Sequence, residues 1–97
     1  MPVISVLEIQ LKPESVEEAK AIFGRALVDT RAFEGNVSVD VLQDREDPAR
    51  LVAVEVWESL EADDAYRAWR AGEGALTDLV PHLAGAPKLT VGEQIEI

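Results

Sequence analysis

The chain has 97 residues, 47% of them hydrophobic and 29% charged, a composition that fits one folded domain over residues 1–97 and argues against a disordered chain. Its 19 acidic against 9 basic side chains give a formal charge of −10, with no Lys/Arg cluster to offset it, so nucleic acid and anionic membrane surfaces are excluded as partners. It contains no cysteine, which removes disulfide frameworks and thiolate metal sites from consideration.

The opening stretch MPVISVLEIQLKP lacks the basic flank, long apolar run and small-residue cleavage site of a signal peptide. No apolar run approaches the roughly 20 residues of a membrane helix, and the chain reads as a cytoplasmic protein. Val3 to Leu11 alternates as a strand, with Val3, Leu7, Ile9 and Leu11 on its better buried face. Lys12-Pro13 breaks it. Ser15 followed by Glu18 predicts a capping box, and Val16, Ala19, Phe23, Ala26, Leu27 and Thr30 continue at helical spacing, predicting a helix over 14–31.

Glu34-Gly35-Asn36 marks a turn, with Asn36 as the residue tolerating unusual backbone angles. Val37, Val39 and Val41 then alternate with Ser38 and Asp40 as a second strand. DREDPAR (44–50) is a polar hairpin connection, and Leu51 to Trp57 a third strand, with Val52, Val54 and Val56 on one face and Leu51, Ala53, Glu55 and Trp57 on the other. Ser59 is placed to cap a second helix with an inward stripe of Ala62, Ala65, Tyr66 and Trp69, ended by Gly72 and Gly74. The acidic pairs Glu17-Glu18 and Asp63-Asp64 sit in first turns, where the helix dipole accounts for them. Ala75 to Leu83 predicts a short third helix bent by Pro81, and Leu89 to Ile97 a fourth strand.

The order β-α-β-β-α-β, with right-handed crossovers, predicts an α+β, ferredoxin-like antiparallel sheet with its helices on one face. Strands one and three carry apolar side chains on both faces, so the uncovered face calls for a second copy of the chain, a homodimer.

With this plan, the turn FEGNVSVDVL, the hairpin DREDPARLVAVEVWES and the helix bearing Tyr66 and Trp69, the chain resembles the antibiotic biosynthesis monooxygenase family, small dimeric α+β barrel proteins. The resemblance implies oxygenation of small aromatic, polyketide-like or quinol substrates by molecular oxygen, with no cofactor and no metal. It also implies a pocket between helices and sheet, here lined by Leu7, Ile9, Val54, Tyr66 and Trp69 together with Leu76 and Leu79. Haem-degrading relatives carry an Asn in the first strand and an iron-ligating His after the second helix. Here Leu7 occupies the first position and Leu76 or Leu79 the second, and none of them can bind iron.

Cofactor-free oxygenation demands little of a protein: desolvation, a hydrogen-bond donor and a base. Tyr66 and Trp69, three apart on one helical face, fit either aromatic-ligand contact or core packing. His82, the single histidine, is the one side chain that titrates near neutrality without help, and it fits either a general base or a surface or capping role. Arg70 and Arg67 fit either oxyanion stabilisation at the pocket mouth or solvent exposure. Trp57 is expected to anchor the strand–helix corner or the dimer. The catalytic candidates are thus Tyr66, Trp69, His82 and Arg70. The same fold also accommodates a different class of function, a non-catalytic dimeric module that binds a small ligand. No glycine-rich phosphate loop, metal-ligand spacing or nucleophile elbow is present.

Overall fold

The computed structural model describes residues 2–97. Strand β1 (Val3–Gln10) leads through a 3-10 turn (Pro13–Ser15) into helix α1 (Val16–Ala32), and β2 (Asn36–Gln43) and β3 (Arg50–Trp57) form a hairpin. Helix α2 (Leu60–Arg70), a 3-10 turn (Val80–His82) and β4 (Lys88–Glu93) complete the chain. All strand pairs are antiparallel in the order β2-β3-β1-β4, the ferredoxin-like α+β arrangement that the sequence predicts.

Period-2 alternation sorts the side chains of the two central strands. Val3, Ser5 and Ile9 of β1, and Leu51, Ala53, Glu55 and Trp57 of β3, are buried beneath the helices. Their alternates Ile4, Val6, Val52, Val54 and Val56 are half-buried on the opposite face. From α1, Ala19, Phe23, Ala26, Leu27 and Thr30 face inward, the stripe that helical spacing predicts.

Several local expectations are corrected. Ser15 forms no capping box, because its hydroxyl is engaged by His82 Nδ1 at 2.9 Å rather than by the α1 backbone. The left-handed residue of the turn after α1 is Gly35 (φ 89°), whereas Asn36 begins β2. No α-helix forms over 75–83: Pro81 has no N–H to donate, and only the 3-10 turn at Val80–His82 is made. Strand β4 ends at Glu93, leaving Ile95 and Ile97 exposed. Ala65 is exposed and Ala62 half-buried, while Asp63, read as a dipole partner in the first turn of α2, is buried. Ser59 does cap α2, accepting from the Ala62 N–H at 3.2 Å.

The Gly35 turn locks α2 onto the hairpin. A Cβ there would stand 2.4 Å from Ala62 Cβ, and the positive φ disfavours any side chain. Gly35→Ala is expected to cost at least about 1–3 kcal/mol, lowering Tm by roughly 5–20 °C in thermal unfolding. Gly35→Asn, which tolerates the angle but keeps the clash, should not restore it.

Candidate functional site

Two apolar clusters lie beneath the helices. One gathers Ile9, Phe23, Leu27, Leu51 and Leu79; the other joins Val3, Trp57 and Tyr66 with Phe33 and Trp69. Between them runs a belt of polar side chains, set by the register that pairs Ser5 of β1 with Glu55 of β3. The Ser5 hydroxyl donates to Asp63 Oδ1 at 2.6 Å. Arg67 Nη2 donates both to Glu55 Oε1 at 2.6 Å and to Asp63 Oδ1 at 3.2 Å, and Trp57 Nε1 donates to Glu55 Oε1 at 3.1 Å. Both carboxylate side chains are almost wholly buried, and one guanidinium serves the two of them.

A second polar group lies on the α1–α2 side. Tyr66 Oη is 2.7 Å from Thr30 Oγ1 and accepts from Arg70 Nε at 2.8 Å. Arg70 Nη2 also donates to the Ala26 carbonyl at 2.8 Å and to Thr30 Oγ1 at 3.1 Å, and its Nη1 to the Gly74 carbonyl at 3.0 Å. Its guanidinium lies 4.6 Å from the Trp69 ring centroid. With four N–H bonds to the protein the side chain is fixed, a stationary positive charge beside a phenol. The single Thr30 hydroxyl proton has two acceptors in reach, the Ala26 carbonyl at 3.4 Å and Tyr66 Oη at 2.7 Å; when it goes to Tyr66, the Tyr66 proton is free for another acceptor.

These two polar groups bound a cavity of about 440 Å³, within the range of small-molecule sites. Its apolar walls come from Leu7, Ile9, Phe23, Leu76, Leu79 and Leu89, and its polar wall from Thr30, Tyr66, Arg70, Glu55 and Arg67. A model of the family described as antibiotic biosynthesis monooxygenase matches residues 2–77. The chain belongs to this family. Its fold is shared by a conserved protein from Methanosarcina mazei (TM-score 0.87, 21% identity, 98% of this chain and 94% of that one). It is also shared by SnoaB, a cofactor-independent oxygenase from Streptomyces nogalater (TM-score 0.81, 18% identity, 99% and 95%), and by Rv0793 from Mycobacterium tuberculosis (TM-score 0.77, 21% identity, 100% and 98%). No curated protein sequence matches this chain.

For this family member, the structure brings together only some of the residues singled out from sequence. Tyr66 and Arg70 line the cavity, as do Leu7, Ile9, Leu76 and Leu79. Val54 does not, because it occupies the opposite sheet face. Trp69 also stands outside the lining: it packs against Phe33 and beneath Gly74, where an added Cβ would lie 2.5 Å from its ring. His82 is likewise absent from the wall. Val80 and Leu83 beside it reach the cavity, while its ring binds Ser15 Oγ and faces Glu18 at 3.9 Å. Arg67 and Arg70 do not simply face solvent; both are tied into the interior. Thr30, Glu55 and Asp63 were missed as site residues. One sequence signal pointed to Glu55: it is the single charged residue on a strand face otherwise made of Leu51, Ala53 and Trp57.

Proposed function

We propose that this chain is a cofactor-independent monooxygenase acting, as a homodimer, on small aromatic, polyketide-like or quinol substrates with molecular oxygen. The observation that carries this reading is a largely apolar cavity whose polar wall holds the Tyr66 hydroxyl next to the fixed positive charge of Arg70. A substrate that has lost its acidic proton is electron-rich enough to reduce oxygen itself. One oxygen atom enters the substrate and the other leaves as water, carrying the two hydrogens that the substrate loses. In an apolar site, a donor and a positive charge aimed at the developing oxyanion act with little screening. Trp69 contributes as a positioning residue, holding Arg70 through its ring face. His82, engaged with Ser15 away from the cavity wall, is assigned no step. Oxygen uptake by metal-stripped protein across a panel of anthrones and substituted hydroquinones tests the reading. Turnover above a no-protein control, with product mass increased accordingly, is expected; silence across the panel contradicts it. The use of four of the five Arg70 N–H groups by protein acceptors favours one alternative, a dimeric binding module. Ligand binding without turnover would support it.

The homodimer rests on the outward sheet face, where Ile4, Val6, Val52, Val54 and Val56 are half-buried and Leu42 is 60% exposed. The face is bordered by Arg50, paired with Glu8 and Asp44. Light scattering at micromolar concentration should give twice the 10.6 kDa chain mass, and Val54→Asp at the centre of that face should halve it. A monomeric mass for the unaltered chain contradicts the assignment.

A further inference from the structure

Glu55 has a carboxylate oxygen that the fold leaves unused. Its two hydrogen bonds, from Trp57 Nε1 and Arg67 Nη2, both end on Oε1. The side chain is 3% exposed and Glu55 lines the cavity. Among the described residues, the one sealed side-chain nitrogen or oxygen without a partner is Arg67 Nε; Oε2, which has no partner, is therefore not fully sealed, and Glu55 is one of the residues that line the cavity. The charges point the same way. Glu55 and Asp63 together carry one negative charge more than Arg67 neutralises, so this end of the cavity favours a hydrogen-bond donor and disfavours an anion.

We infer that Glu55 is a specificity-determining residue, whose Oε2 receives a hydroxyl proton donor on an aromatic ligand, so that the cavity takes free phenols and rejects their methyl ethers. This rests on the aromatic substrate class proposed above and adds a requirement to it. The aromatic ring would lie against Leu7 and Leu89, with its hydroxyl toward β3. A site built to receive a donor rejects the analogue lacking one, because the buried acceptor is then desolvated and unpaired. Trp57 and Arg67 act as positioning residues: both anchor Oε1 and thereby orient Oε2.

The test is equilibrium binding of 1-naphthol and 1-methoxynaphthalene, followed by calorimetry and by the indole N–H resonance of Trp57. It needs no turnover, so silence in oxygen uptake leaves it unaffected. The unaltered protein should bind the naphthol at least tenfold tighter, and the Trp57 indole signal should shift with the naphthol only. In Glu55→Gln the amide oxygen can still accept from Trp57 and Arg67 while its NH₂ replaces Oε2. Acceptor becomes donor, and the preference should fall below threefold or reverse. If Glu55→Gln does not fold, the comparison in the unaltered protein still decides. Equal affinity for the two probes, tighter binding of the ether, binding of neither, or a folded Glu55→Gln that keeps the tenfold preference would each overturn the inference.

Discussion

Trp57→Ala is expected to lower the unfolding free energy by about 3–5 kcal/mol, the usual cost of truncating a fully buried large aromatic. Trp57 is 0% exposed and packs against Tyr66 at 4.8 Å and, edge-on, against Phe33 at 6.1 Å between ring centroids. It closes the second apolar cluster at the corner where β3 hands the chain to α2, the anchoring place expected from its position before Glu58-Ser59. A domain of this size has a total stability of only about 5–15 kcal/mol, so much of it would be lost. Thermal unfolding should show a fall in Tm of roughly 15–30 °C. Trp57→Phe retains most of the packing and loses only the Nε1–H donated to Glu55, and should fall by about 1–3 kcal/mol. Equal losses in the two variants would show that the hydrogen bond, rather than the ring, holds the corner.

Arg67→Met should be about as damaging, for an electrostatic reason. The methionine keeps much of the apolar stem but leaves Glu55 and Asp63 buried with no cation between them. Removing one member of a buried ion pair costs about 3–5 kcal/mol, mainly because the remaining charge is uncompensated. The Arg67→Met variant with Glu55→Gln and Asp63→Asn added should therefore recover most of the loss in chemical denaturation, even though it carries two further substitutions. Failure to recover would mean that Arg67 contributes through packing against the Tyr66 ring, 5.0 Å from its guanidinium carbon, and not through charge.

The fold was legible because its strands alternate cleanly. The sequence of β3 assigns each side chain to its face, and the half-buried valines of one face and the buried residues of the other agree with that assignment. The site was legible only in part, since its constellations are joined across long sequence separations. Glu55 and Ser5 become neighbours through the β1–β3 register, and Arg67 reaches both carboxylates only because α2 crosses above that pair. Nothing local announces this. Tyr66 and Trp69 illustrate the limit of helical spacing: three residues bring two side chains to roughly one face, yet the remaining rotation of about 60° puts Tyr66 on the cavity wall and Trp69 against Phe33 and Gly74. Likewise, the partner that occupies His82 is Ser15, 67 positions away, and it is taken from the capping role that its local sequence predicts.

In the proposed reaction, Tyr66 donates a hydrogen bond to the substrate oxygen on which charge develops. The most direct measurement is the kcat of Tyr66→Phe on whichever quinol or anthrone the unaltered protein turns over, taken beside its Tm. Phenylalanine preserves the ring that packs on Trp57 and removes only the hydroxyl shared with Thr30 and Arg70. Loss of one such donor is expected to lower kcat by about 100-fold or more, with a Tm change of no more than about 5–15 °C from the lost hydrogen bonds. Undiminished kcat in a folded Tyr66→Phe would remove Tyr66 from the reaction.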